Sequence, residues 1–238
     1  MASPTRFPGG VTQARRNTTL GEFGLPDPTA YHVWFDDFDN FEADQWIITT
    51  TEAGASDASE AVSSADGGVL VLTNDTADND LDFLQWSGDD ASTAIETFKF
   101  ASGKKLWFKS RFKVSDVTQS DFIMGLQITD TTPLAVTDGV YFRKDDGDTD
   151  LDFVVIKDST ATTTTMSGLL ANDTYVTVGF YYNGSNKIDI FVNDVRRGSS
   201  VTTNLPDDEE LTISFGIQNG EAASKSMSVD YIFVAKER

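Results

Sequence analysis

Cysteine is absent from the 238-residue chain, and histidine occurs once, at His32. The first absence excludes disulfide scaffolds, thiolate zinc centres and cysteine nucleophiles; the second excludes a multi-histidine metal centre. No apolar run approaches the ~18 residues of a membrane-spanning helix, and the N-terminus lacks the apolar stretch of a secretory leader. Basic residues are scarce: 18 Lys+Arg face 38 acids, for a net charge of −20. Such a field repels nucleic acid and anionic lipid, so neither is an expected partner. Glutamate is scarce as well, nine against 29 aspartates, beside 28 threonines. Asp serves turns rather than helix interiors and Thr suits strands, so this balance points to β structure. What the chain does have is 60 Phe, Val, Leu and Ile residues, enough apolar side chain for the core of one large domain.

Four of the six prolines fall in residues 1–30, together with Arg6, Arg15 and Arg16 ahead of the first acid, Glu22. Proline and glycine at this density break helix and sheet alike, which predicts an extended basic arm over 1–30 and a folded domain over 31–238. The arm either wraps its own domain or docks on a neighbouring subunit or larger assembly.

From Tyr31 onward the pattern has period two. Val69 to Leu72 follows the turn Asp66-Gly67-Gly68, and Leu106, Phe108, Phe112 and Val114 alternate with polar residues and Trp107. Phe122 to Ile128, Leu151 to Val155, Leu211 to Ile217 and Val229 to Val234 read as further strands. Asn183-Gly184-Ser185-Asn186 separates Tyr175–Tyr182 from Lys187–Val192 and marks a hairpin. Thr160 to Thr165 reads as a loop or an exposed edge. Many short strands with polar turns, and no amphipathic helix, indicate an antiparallel β-sandwich.

Charge is segregated along this pattern. No Lys or Arg lies between Arg16 and Lys99, whereas Thr97 to Ser115 holds six and no acid. On a strand over Leu106–Val114, Lys105, Lys109, Arg111 and Lys113 share a face with Trp107. They either pair with acids on neighbouring strands or form a patch for an acidic partner or a second copy.

Candidate chemistry is thin. A serine triad would have to use His32, in the strand entrance Tyr31-His32-Val33-Trp34, where a structural or surface role is the plainer reading. Asp148, Asp150 and Asp152 stand at i, i+2 and i+4 and would share a strand face, as paired glycosidase carboxylates do; no Glu accompanies them as the acid. Asp145, Asp146, Asp148 and Asp150 offer oxygens to a Ca²⁺ ion, but the bidentate Glu of a calcium loop is missing, and a solvated turn explains them equally. Asp75, Asp78, Asp80 and Asp82, and Asp36, Asp37 and Asp39, are similar clusters. Asn17, Asn74, Asn172 and Asn183 begin N-x-S/T triplets, which carry little weight without a leader.

Asp36-Asp37-Phe38-Asp39 with Trp46, Gly67-Gly68-Val69-Leu70, Asp173 to Val178 leading through Asn183-Gly184 to Ile188–Asn193, and Val229-Asp230-Tyr231-Ile232, taken in order, resemble concanavalin A-like, laminin-G-like jelly rolls. The resemblance covers about residues 31–238 and implies two stacked antiparallel sheets with a concave face. The glycosidase branch of that superfamily carries Glu-x-Asp-x-x-Glu on a strand, and this sequence has no such motif; the calcium motif of the lectin branch is not found either. The whole chain, including Arg6-Phe7-Pro8-Gly9-Gly10-Val11 and Gln119 to Ile128, also resembles virion structural proteins of tailed bacteriophages, of marine type. That resemblance implies a non-enzymatic head decoration protein on the outer capsid surface, a trimer whose partner is the major capsid protein, needing no cofactor. Arg6, Phe7, Arg15 and Arg16 are then the anchors, with Lys105, Lys109, Arg111 and Lys113 as a second contact. The alternative is a glycan-binding adhesion module that stacks host sugars on Trp86, Trp107 or Tyr181. A degenerate glycosidase using Asp148, Asp150 and Asp152 is a third.

Overall fold

The computed structural model describes residues 29–238 apart from 55, 66, 89, 93 and 94. Arg6, Phe7, Arg15 and Arg16, and the expected arm with them, lie outside the described residues. The described residues form fifteen strands: β1 Tyr31–Asp36, β2 Trp46–Thr51, β3 Ser59–Ser63, β4 Val69–Thr73, β5 Leu81–Trp86, β6 Leu106–Val114, β7 Ser120–Gln127, β8 Gly139–Lys144, β9 Leu151–Lys157, β10 Thr160–Met166, β11 Val176–Tyr182, β12 Lys187–Val192, β13 Val195–Val201, β14 Thr212–Asn219 and β15 Ser226–Glu237. Among the described residues the only helical turns are the short 3₁₀ segments Ala43–Gln45 and Pro133–Ala135, and no helix is long and apolar enough to cross a membrane.

The strands form two antiparallel sheets. One has eight strands in the order β13-β12-β11-β6-β15-β4-β3, with β1 on the other half of β15; the second runs β10-β9-β8-β7-β14-β5-β2. β15 takes β4 along Ser226–Val229 and β1 along Ile232–Glu237, while β6 runs down its other side. Tight turns set the registers. The β9–β10 hairpin turns at Asp158-Ser159 and the β12–β13 hairpin at Asn193-Asp194, all four residues at positive φ. Two consecutive left-handed residues give the turn whose twist suits a two-residue hairpin, and Asn and Asp tolerate that backbone better than most.

The core lies between the sheets and follows the alternation read from the sequence. On β6, Leu106, Phe108, Phe112 and Val114 are buried, while Trp107, Lys109, Arg111 and Lys113 face outward. Phe180 of β11 is stacked on Phe108 (centroids 5.1 Å apart, planes at 8°) and meets Phe142, Phe153 and Phe100, so one chain of rings ties the sheets together. Thr160 to Thr165, read as a loop or an exposed edge, falls in the edge strand β10, and its mostly exposed threonines match that position.

The outer face of the seven-stranded sheet is covered. Residues 128–138, between β7 and β8, bring Ile128, Leu134 and Val136 onto Leu81, Phe83, Ile123, Tyr141 and Val154, making a second apolar cluster. Buried Gln85 and Gln127 fasten this loop by donating to the Ile128 and Pro133 carbonyls, 3.0 and 3.2 Å away. Beneath it a Cβ on Gly125 would lie 2.5 Å from Tyr141 Cα. Gly125→Ala is therefore expected to push β7 and β8 apart at a cost of about 1–3 kcal/mol. Urea unfolding checks this, and an unchanged midpoint counts against the close approach.

Candidate functional site

Among the described residues nothing packs over the outer face of the eight-stranded sheet, and that face is aromatic. In register across the strands stand Phe191 (β12), Gly179 (β11), Lys109 (β6), Phe233 (β15) and Phe35 (β1). The neighbouring row holds Tyr181 beside Trp107. Because Gly179 has no side chain, the surface drops by one residue between Phe191 and Lys109. The result is a pocket of about 370 Å³ lined by Trp107, Lys109, Thr177, Gly179, Tyr181, Phe191, Asp194 and Phe233, at the lower end of the small-ligand range. A Cβ at Gly179 would lie 2.9 Å from the Phe108 carbonyl oxygen, so the backbone itself is the floor.

The walls are held in place. Trp107 and Tyr181 lie 5.4 Å apart at 30°, and Tyr31 sets its edge on Trp107 at 5.8 Å. The Asn193-Asp194 turn fixes the rim: Asn193 Oδ1 accepts the Thr177 N–H at 3.0 Å, and Asp194 Oδ1 takes Lys109 Nζ at 2.6 Å. That contact raises the Lys109 pKa above its ordinary value. The pocket therefore offers ring faces with one neutralised ion pair at its edge, a surface suited to a ligand with apolar faces and scattered hydroxyls.

The structure brings Trp107 and Tyr181 together, two of the three aromatics named from the sequence, and puts Trp86 elsewhere. Trp86 packs on Trp34 and Trp46 at 5.2 and 5.1 Å, against the core. Phe191 and Phe233 were not singled out. Their signal was the alternation of Ile188, Ile190 and Val192, and of Ile232 and Val234, which sends the intervening phenylalanines to the opposite face.

The four basic residues of the β6 region each meet a carboxylate. Lys105 pairs with Glu237 (3.6 Å), Lys109 with Asp194, Arg111 with Asp230, and Lys113 with Asp173 (3.7 Å). Arg111 also lies over the Tyr175 ring, 4.0 Å from its centroid. These are cross-strand and strand-to-loop pairs at a partly exposed surface, and each contributes little stability.

The aspartates do not converge. Asp148 and Asp150 precede β9 in an exposed turn, so they do not share a strand face with Asp152. Asp148 Oδ1 accepts the N–H groups of Asp150 and Thr149, which lowers its pKa. Asp145 meets Arg143 at 3.0 Å, Asp146 donates its N–H to Asp121, and Asp152 accepts from Thr165 at 2.6 Å. Among the described residues no group of three His or acidic side chains is placed to hold a metal ion. Asn74, first of a glycosylation triplet, is buried and donates to the Asp80 and Ile217 carbonyls. His32 contacts Thr97 Oγ1 at 3.3 Å and the Phe98 ring, and burial lowers its pKa.

One acid stands apart. Asp82 of β5 points into the sandwich, fully buried, with no fixed donor to either carboxyl oxygen. It faces Glu60 of β3 within hydrogen-bonding reach, with Glu52 nearby; burial first and these acids second push its pKa up to about 8. Asp82 is therefore held in its protonated form at neutral pH.

No family model matches the sequence, and no curated protein matches it. Solved structures do match in three dimensions. A Bacteroides ovatus GH16 enzyme from a mixed linkage glucan locus, in complex with a G4G4G3G product, is 14% identical over 84% of this chain and 99% of its own, with a TM-score of 0.61. Peanut lectin is 10% identical over 87% and 97%, at 0.55. A protein of unknown function from Shewanella oneidensis MR-1 is 16% identical over 87% of each chain, at 0.59. The fold is the concanavalin A-like jelly roll. Lectins and glycosidases share it, so the likeness assigns the architecture and leaves the activity to the site.

Proposed function

We propose that this jelly-roll protein is a non-catalytic glycan-binding module whose site is the aromatic pocket over Gly179. The observation that carries the reading is the joining of Trp107, Tyr181, Phe191 and Phe233 around a floor of bare backbone. Rings of this kind stack on the apolar faces of pyranose sugars, and the 370 Å³ volume suits one or two units. Glycan-binding and glycan-cleaving neighbours of the same fold support the class. Binding without cleavage is favoured because the Glu-x-Asp-x-x-Glu motif is absent and Asp148, Asp150 and Asp152 do not form a paired acid and base.

Head decoration has no comparable support. Its anchors Arg6, Phe7, Arg15 and Arg16 lie outside the described residues, and the charges of Lys105, Lys109, Arg111 and Lys113 are answered within the chain.

The test is a neutral-glycan array followed by titration calorimetry, with mixed-linkage glucan oligosaccharides as the first probes. Trp107→Ala is expected to weaken binding about tenfold or more, the loss of one to two kcal/mol of stacking, with an unchanged urea midpoint. Equal affinity in the variant would move the site elsewhere.

A further inference from the structure

The pocket is one end of a longer feature. From Phe191 the row continues through Gly179 and Lys109 to Phe233 and then Phe35, crossing β12, β11, β6, β15 and β1. Four inter-strand spacings of about 4.8 Å carry it over roughly 19 Å, longer than a disaccharide. Phe35, at its far end, lies outside the pocket and is 55% exposed, high for a phenylalanine on an ordered strand. Register places the three phenylalanines on one face: Phe233 directly faces Phe35, while Gly179 and Lys109 stand between Phe233 and Phe191.

The charge on this face argues for the occupant. The chain as a whole carries −20. Yet along the row Lys109 meets Asp194 and Arg111 meets Asp230, while Lys187 and Arg196 both meet Asp189. Among the described residues Arg197, beside Arg196 at the Phe191 end, and Asp37, two residues beyond Phe35, have no ion pair, but the base inside the row, Lys109, is paired, and the chain's net charge repels an anionic ligand.

From this register and this net charge we infer that the ligand is an uncharged linear glycan lying across the strands, several sugars long. The pocket, with Phe233 at its edge, holds one end, and Phe35 forms a second stacking position. The inference rests on the glycan-binding reading above and adds the length, direction and charge class of the ligand. Phe35 is then a specificity residue that reads chain length.

The experiment is calorimetric titration of the full chain with β-1,4-linked glucose and mixed-linkage glucan oligomers, from dimer to hexamer, alongside acidic oligouronides. Affinity is expected to rise about tenfold between the dimer and the tetramer and then level off, one added stacking contact being enough for that change. Phe35→Ala should erase this rise, whereas Trp107→Ala should weaken every oligomer, and the oligouronides should bind at least about tenfold more weakly than neutral oligomers of equal length. Phe35 is exposed, so its removal leaves the core intact, which the urea midpoint verifies. Equal affinity for all lengths overturns the inference and leaves the pocket reading standing, as does preference for the uronides. Binding of no oligomer, with no response to Trp107→Ala, overturns both. Self-association of the chain that Phe35→Ala abolishes assigns the row to a second copy and overturns the inference as well.

Discussion

Between pH 5 and pH 9 the wild-type chain is expected to lose several kcal/mol of stability relative to its Asp82→Asn variant. Asp82 has an ordinary pKa of 3.8 when unfolded and about 8 when buried against Glu60 and Glu52. Between those values the folded chain holds a proton that the unfolded chain has released. Stability therefore falls as pH rises, by about 1.4 kcal/mol per unit for an isolated group, and the decline ends once pH passes the folded value. Asparagine keeps the shape and does not ionise, so the variant should not share this slope. Other carboxylates titrate in the same range, which is why the difference between the two proteins is the quantity to follow, by urea unfolding at each pH. A difference that stays constant from pH 5 to pH 9 would falsify the raised pKa of Asp82. The sequence contains the cause: with no Lys or Arg between Arg16 and Lys99, β1 to β5 bring no cation of their own to this corner.

Phe180→Ala should be the most damaging single truncation in the core, at about 3–5 kcal/mol. Phe180 and its stacking partner Phe108 belong to the eight-stranded sheet, while Phe142 and Phe153, at 6.4 and 5.5 Å, belong to the other. Its removal empties the contact between the layers, and neighbouring rings fixed by two sheets have little freedom to close the gap. Denaturant unfolding with an unchanged m-value is the check; a loss below about 1 kcal/mol would mean that the rings repack.

Legibility followed locality. The Asn183–Asn186 hairpin, the alternation on β6 and the apolar run of β7 are signals carried within a few residues, and each corresponds to a strand or turn in the structure. Edge strands were harder. β3 and β13 are largely exposed and mostly polar, so they lack the inward-facing apolar residues that give a strand its period. The reading of Asp148, Asp150 and Asp152 assumed a strand where the chain is still in a turn. Trp107 and Tyr181 were visible as single aromatics, but nothing local announced that Gly179 would lie between Phe191 and Lys109. That juxtaposition depends on the register of β11 against β6, and register between strands so distant in the chain is not written in any short window.

The position of β15 has a consequence for how the molecule is made. The last of the fifteen strands in chain order sits in the middle of a sheet, between β6 on one side and β4 and β1 on the other. During synthesis, β1, β3 and β4 emerge early yet have no route into their sheet until β15 has left the ribosome. The two halves of that sheet wait with unpaired edges on β4 and β6, the condition that invites chain-to-chain aggregation. Closure then arrives in one late, long-range step, and a nascent chain arrested before Ser226 should be held as two unjoined pieces rather than a smaller version of the same sandwich.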